Sequence, residues 1–490
     1  MSLPYFCVDD HTIMINFIEN ILCHFESCFS RKAAFRWFVV IITGFMLRSD
    51  KLGVTSIIRD LALAPGCYES MLHFFRASSW SLPDIRKRWF SAVSQYAPLY
   101  KEGSLHVLVG DGVKQSKEGR RMPGVKKLFQ ESENSAKPEY IHGHMFGGLG
   151  ILAGNIRNWA CIPLSIRLHD GLQAAREWKG ASVSATSHVV QMVEDAYLAA
   201  LTFGDSLLLP DRYFLTVPAL EKLKSLNDSG NVHMDIVTKA KKSCTAYQKP
   251  GPRKPGRGRP PKKGAAVHLK ELFVSHAGQF QETEVELYGK KEKIRYYCID
   301  LLWGQKLYQE LRFVLVEMDG SQSILASTSV VLNPLSIIRL YSYRFQIEYT
   351  FKELKQQIGA FCYHFWSKYM PKISYYQKKG EPTPMELVAG EKPRKKVLEA
   401  VRAIEMHMVL SCIAIGILQS PSISLIGKVN SSQIRYQRTP SRGRVSEATL
   451  MYYFRKHFFR LLGQKPELYI TQIIQGMQNE PAKPWDSMVS

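Results

Sequence analysis

Hydrophobic patterning divides the chain into regimes. Up to about residue 95, apolar residues recur at helical spacing, with a mostly apolar run from Trp37 to Leu47. Thr55 and Ser56 are candidate caps for a helix through Leu63. Ala64-Pro65-Gly66 reads as a turn and Tyr68 to Ala77 as a second helix. Helix, tight turn, helix is the outline of a DNA-reading helix-turn-helix, with His73 and Arg76 on the second helix, although many helical bundles share it. From Leu105 the period changes. LHVLVGDG is a short β run ending on Asp111, followed by a basic, Gly-containing loop. HGHMFGGLGILAG and CIPLSIRLH read as two more strands, Ser184 to Thr202 as a helix, and SLLLPDRYF as a strand whose apolar run stops at Asp211. Strands, then a helix, then a further strand predict a mixed α/β core.

The second half holds five alternating runs: ELFVSHA, TEVELYG, KIRYYCIDLLWG, LRFVLVEMDG and ILASTSVVL. They predict a β-rich unit. A helix follows from Leu340 to Gln356, carrying two stripes side by side. Leu340, Ile347, Phe351 and Leu354 form a core-facing seam. Tyr341, Arg344, Glu348 and Lys355 fall within a second stripe roughly 60° wide. Tyr369 to Arg394 reads as an exposed, polar, Pro-containing loop, and Val397 to Gln419 as a buried helix. The remainder is basic and partly helical, with Arg435, Arg438, Arg442, Arg444, Arg455 and Lys456. No internal repeat is present.

Charge narrows the function. A formal net charge of +22 favours a polyanionic partner, nucleic acid or an anionic membrane surface. The most apolar runs, Phe38 to Leu47 and Met408 to Leu418, are too short for a membrane span. The first residues carry Asp9, Asp10 and Glu19 and do not read as a secretory signal. Nine scattered cysteines without a CxxC pair predict a reduced, cytoplasmic protein with buried thiols; Cys23, His24 and Cys28 lack a second pair at zinc spacing.

Lys239 to Lys263 is the sharpest compositional shift, with ten Lys or Arg, five Pro and no acid. Such a segment predicts disorder on its own. Within it, Arg257-Gly258-Arg259-Pro260 resembles the AT-hook core, an extended Arg-Gly-Arg that lies in the A·T-rich minor groove; the alternative is a solubilising linker. The loop after Asp111 carries Lys114, Lys117, Arg120, Arg121, Lys126 and Lys127, of which Lys114, Lys117, Arg120 and Arg121 are candidate DNA contacts.

Three carboxylates carry candidate chemistry. Asp111 and Asp211 each end an apolar β run, and Glu348 sits on a helix. Two Asp and one Glu make a hard, all-oxygen site that suits two Mg²⁺ or Mn²⁺ ions and in-line phosphoryl displacement. Singly, each has a plainer reading: a strand-end Asp is often a turn residue, and Glu348 near Lys352 and Lys355 makes an ordinary helix pair. Asp205 would start its strand, Asp300 lies inside a β run, His142 and His144 read as satisfied polar positions near the core, and His169-Asp170-Gly171 reads as a turn.

Tyr341-x2-Arg344-x3-Glu348-x6-Lys355 resembles the Y-(2)-R-(3)-E-(6)-K signature of bacterial insertion-sequence transposases of the insertion-sequence-four type. LVGDG and LLLPDRYF resemble the segments around that family's two aspartates. The spacings, 100 residues from Asp111 to Asp211 and 137 from Asp211 to Glu348, suit a core interrupted by an insertion before its third acid. The resemblance implies an RNase H-like mixed sheet flanked by helices, with a β-rich insertion and an all-helical N-terminal domain. The segments would be 1–95 (helical, DNA-binding), 96–225 (first part of the core), 226–330 (basic linker and insertion), 331–425 (second part, with the Glu helix) and 426–490 (basic, DNA or dimer contacts). It further implies a DDE transposase, with metal-dependent cleavage at transposon ends and strand transfer into target DNA. Asp111, Asp211 and Glu348 would hold the metals, and Tyr341, Arg344, Lys352 and Lys355 would contact DNA. Trp303, in the insertion, would receive a flipped base. The partners would be double-stranded DNA and a second copy of the chain, in a bacterial, nucleoid-associated setting. Two other readings stand beside it: an RNase H-like nuclease without strand transfer, and a degenerate transposase kept as a DNA-binding repressor or chromatin factor.

Overall fold

The computed structural model describes residues 10–51, 53–130, 138–155, 158–178, 180, 187–251, 260–374, 376, 381–424 and 446–478. Five helices come first: α1 (Asp10–Cys23), α2 (Lys32–Leu47), α3 (Thr55–Asp60), α4 (Cys67–Phe74) and α5 (Leu82–Tyr96). Then follow β1 (Lys101–Glu102), β2 (Leu105–Ser116), β3 (Lys126–Phe129), β4 (Tyr140–Asn155), β5 (Asn158–Leu168), α6 (Gln173–Glu177), α7 (His188–Phe203), β6 (Ser206–Pro210), α8 (Val217–Ser229) and β7 (Met234–Ala240). The insertion contributes β8 (Thr245–Tyr247), β9 (Ala266–His268), α9 (Leu272–Ser275), β10 (Gln281–Leu287), β11 (Lys290–Trp303), β12 (Gln309–Met318) and β13 (Ser321–Ser327). The chain closes with α10 (Pro334–Ser342), α11 (Gln346–Glu353), α12 (Glu391–Ser424), α13 (Glu447–Gln464) and α14 (Tyr469–Gln478).

The strands form one mixed sheet. Antiparallel β5, β4 and β2 are followed by β6 and β7, which run parallel to β2. This is an RNase H-like core with helices on both faces. β13 then pairs antiparallel with β7, so the insertion extends the core sheet through β13, β12 and β11. Glycines set the layer spacing. A Cβ on Gly110 or Gly112 would strike Met192 or His188 of α7, whereas one on Gly148 would strike Phe351 of α11. Residues 110 and 112 share one face of β2, and Asp111, paired with Gly148, points to the other. α7 and α11 therefore cover opposite faces. The N-terminal helices share a single hydrophobic cluster with the sheet: α2 packs on α12, and α12 packs on β5.

Several expectations change. β2 does not end at Asp111 but continues to Ser116, because Asp111 to Ser116 pair with Gly143 to Gly148 of β4. ELFVSHA is helical, with Leu269, Leu272 and Phe273 buried at helical spacing. The basic segment is not structureless, since Lys239 and Ala240 belong to β7 and Thr245–Tyr247 forms β8; Arg257 and Arg259 lie outside the described residues. Tyr369 to Arg394 is not an exposed loop throughout, because Met370, Met385 and Val388 join a small core with Val397 and Ala174. Thr55 and Ser56 do not cap α3; Val54 occupies the cap position and Ser56 is buried. α12 is long and apolar enough to cross a membrane by length and composition, contrary to the run-length reading, but 89% of its apolar window is buried inside the protein. The eight described cysteines are free, with Cys161 and Cys412 buried and Cys23 exposed.

Candidate active site

The parallel register of β2 and β6 ends at Gly110 opposite Pro210. Asp111 and Asp211 are the next residues of the two chains, Asp111 still paired with β4 and Asp211 just past the end of β6, so the acids stand side by side where the two strands part. Apolar runs drive this: Val107 to Val109 and Leu207 to Leu209 are fully buried, and each run stops at the same level of the sheet. Thr238 of β7 fixes the second acid's backbone, its hydroxyl donating to the carbonyls of Pro210 (3.1 Å) and Asp211 (2.8 Å).

Glu348 arrives from the covering helix. The chain from Pro334 to Ile358 is helical but not uniformly α: a 3₁₀ turn at Tyr343–Phe345 separates α10 from α11, and a π turn at Leu354–Ile358 follows. The core seam is as predicted, with Leu340, Ile347, Phe351 and Leu354 buried. Thr350 anchors α11 to the sheet by donating to the Cys161 carbonyl at 2.7 Å. The polar stripe splits. Arg344 links Glu348 to Asp111: its Nη1 donates to Asp111 Oδ2 at 3.0 Å and its Nη2 to Glu348 Oε1 at 2.5 Å. Tyr341 is partly buried, with Asp211 and Asp111 among the charges acting on its phenol, and burial raises its pKa. Lys355 lies in the π turn, its Nζ 5.5 Å from the Phe361 ring centroid, and Lys352 is exposed.

Burial dominates the electrostatics of the site. Burial pushes the Asp111 carboxyl up to about 6; Arg344 and the Gly112 N–H, which donates at 2.7 Å, oppose the rise, while Asp211 and Glu348 add to it. Burial works against the Arg344 charge, but Asp111, Tyr341 and Glu348 outweigh it and hold the guanidinium more firmly protonated than usual. Among the described residues no three His, Cys, Asp or Glu side chains stand together as a metal cluster. The donor set nonetheless fits a hard divalent cation. It is all oxygen, and the like charges around Asp111 are relieved by any cation placed among them.

The other predicted residues fall elsewhere. Lys117 is buried: its Nζ donates to the Phe361 (2.5 Å) and Tyr363 (3.2 Å) carbonyls beneath the Tyr363 ring, and burial lowers its pKa to about 8. Arg121 donates to the Lys368 and Met370 carbonyls, and the Arg120 carbonyl accepts from Ile373. Lys114 donates to the Phe129 carbonyl. Lys117, Arg120 and Arg121 thus hold down the segment that follows α11, because the long strand β2 carries them there. Only Arg120 among these and Lys114 keeps an exposed side chain. Trp303 is partly buried, its indole N–H donating to Cys244 Sγ at 3.1 Å. His144 is a satisfied core residue between the Tyr363 hydroxyl (2.6 Å) and the Pro123 carbonyl (2.9 Å). Asp205 accepts from the His233 N–H, and Asp300 takes both prongs of Arg312. His169 is more than a turn residue. It joins Asp195, Arg167 and His188 in a polar cluster on the face opposite Asp111.

Three neighbours of the site were not legible in the sequence. Lys239 of β7 is influenced by Arg212, Asp211 and Arg344. Tyr288, at the β10–β11 tip, has its ring centroid 5.7 Å from that of Phe345, and the two are 58% and 41% exposed. Tyr288 holds a left-handed backbone (φ 53°) with Gly289 after it (φ 75°). A Tyr-Gly step between two alternating strands was the available signal for this hairpin.

No curated protein and no solved structure matches the chain. The sequence matches the DDE superfamily endonuclease family over residues 24–291, a span that contains both aspartates and ends before Glu348. With more than half its length covered, the chain belongs to the DDE superfamily endonuclease family.

Proposed function

We propose that this chain is a DDE transposase, which cuts DNA at the ends of a mobile element and joins the freed 3′-hydroxyl to a target DNA. One observation carries the reading: Arg344 bonds to both Asp111 and Glu348, with Asp211 at the adjoining strand end. Two Mg²⁺ or Mn²⁺ ions, when bound, would supply Lewis-acid stabilisation of the attacking and leaving oxygens.

The protein's own groups do the rest. Asp111 and Asp211 offer oxygen donors from a rigid sheet edge, and Glu348 offers them from a helix locked by Thr350. Arg344 presents a planar fork that matches a phosphate as well as a carboxylate. Tyr341 offers a hydroxyl on the same side, and the exposed Lys352 and Lys355 offer point charges to the backbone of the DNA. For an unpaired base, the exposed pair Tyr288 and Phe345 is a better stacking surface than Trp303, whose indole is engaged with Cys244. The insertion-sequence-four assignment rests on Tyr341, Arg344 and Glu348 sharing the site; Lys355 would have to reach the DNA from the π turn. The partners in this reading are double-stranded DNA and a second copy of the chain that pairs two ends, in the cytoplasm at the nucleoid.

The test uses purified protein, labelled duplexes bearing the ends of its own element, and Mg²⁺ or Mn²⁺. Wild type is compared with Glu348→Gln, which keeps size and removes charge. Cleavage and joining by wild type alone support the transposase. Cleavage without joining makes it a nuclease, and tight binding by both proteins without cleavage makes it a DNA-binding factor.

A further inference from the structure

We propose that Arg344 is a resident counter-cation, which bridges Asp111 and Glu348 in the place a metal ion takes and yields it when a DNA phosphate draws the guanidinium away. The inference rests on the metal-site reading above and concerns the order in which that site is filled.

One side chain neutralises two of the three acids through separate nitrogens, at 3.0 Å to Asp111 and 2.5 Å to Glu348. Side-chain exposure is 16% for Arg344 and 21% for Asp111, so solvent screens this pair far less than it screens a surface ion pair. The Glu348 side chain is 56% exposed and marks the open side, from which an entering phosphate competes with the glutamate for the guanidinium. A lysine ammonium would neutralise as a compact point charge without the fixed fork, whereas the planar guanidinium serves carboxylates and phosphate equally well. A cation binding without DNA must displace this fork and leave a partly buried guanidinium short of partners. With a phosphate alongside, the same fork has somewhere to go, and both carboxylates are freed together. Metal and DNA then favour each other's binding by equal factors, as any linkage between two sites requires. The device keeps a hydrolytic site from assembling until a substrate phosphate is in position.

The experiment measures Mn²⁺ affinity on the full chain by the loss of the free-ion paramagnetic resonance signal, with and without a short random-sequence duplex at low salt. Without DNA, Arg344→Gln is expected to bind Mn²⁺ about tenfold more tightly than wild type, the scale of one partly buried ion pair. The duplex is expected to tighten Mn²⁺ on wild type by a similar factor and to leave Arg344→Gln unchanged. Wild-type or weaker affinity in Arg344→Gln without DNA overturns the proposal. Should Arg344→Gln not fold, Arg344→Lys, which keeps the charge but loses the two-nitrogen fork, is expected to bind more tightly than wild type by a smaller factor; equal affinity overturns it. Asp111→Asn and Glu348→Gln separate the two readings. If they lose Mn²⁺ while the Arg344 variants match wild type, only the counter-cation fails; if they bind as wild type does, the metal site itself fails.

Discussion

The ring of Phe351 lies on Gly148, the β4 residue paired directly with Asp111. This contact sets the height of α11 above the sheet and hence the distance from Glu348 to Asp111. A Cβ at Gly148 would sit 2.5 Å from the ring edge. Gly148→Ala is therefore expected to cost about 1–3 kcal/mol by overpacking, and to reduce DNA cleavage further than the stability loss explains. Thermal denaturation and a cleavage assay check both, with Gly278→Ala as the control, since nothing lies within 4 Å of a Cβ there.

Two lysines should part company. Lys117→Ala removes a buried donor from two carbonyls and is expected to destabilise by about 1–3 kcal/mol without changing the salt dependence of DNA binding by the folded protein. Lys352→Ala is expected to leave the melting temperature unchanged and to reduce the slope of log affinity against log salt by about one phosphate contact. A reversed outcome would move the basic stretch after Asp111 back to the DNA.

The raised Asp111 carboxyl predicts a pH effect. Its value in the fold is about 6 against an ordinary 3.8. Between these values the folded state keeps a proton that the unfolded chain has released, so stability falls as pH rises through this window and the deficit persists above it. Asp111→Asn should remove that fall, so that in chelator above pH about 6 the variant melts higher than wild type. Melting curves across pH decide the sign; a wild type that gains stability over the same window contradicts the burial argument.

Tyr288 and Trp303 should also separate. Tyr288→Ala is expected to leave stability nearly unchanged and to weaken binding of DNA with an unpaired end by about 1–3 kcal/mol. Trp303→Ala empties a partly buried position and is expected to cost about 2–4 kcal/mol of stability, with little effect on DNA affinity of the folded fraction. Paired melting and fluorescence-anisotropy titrations read both.

Much of the site was legible because its signals are local. The apolar runs before Asp111 and Asp211 stop abruptly, and the apolar seam of the 340–354 helix is buried where its spacing puts it. The apolar run from Val397 to Gln419 likewise announced the buried helix α12. Failures arose where a local pattern has two solutions. A short apolar run such as ELFVSHA fits strand or helix equally, and a basic stretch such as Lys114 to Arg121 looks solvated until a long strand carries it under another segment.

By itself the sequence determined which residues carry charge and chemistry, which helix has two faces, and that the chain favours a polyanion. Only the tertiary structure decided that residues 100 positions apart stand side by side, through the register that ends at Gly110 and Pro210. It alone turned α7 and its His188 to the face away from Asp111, buried Lys117, and brought Tyr288 rather than Trp303 beside Phe345. The physical reason is that register and burial are set by contacts between distant segments, whereas hydropathy and spacing report only what each segment prefers alone.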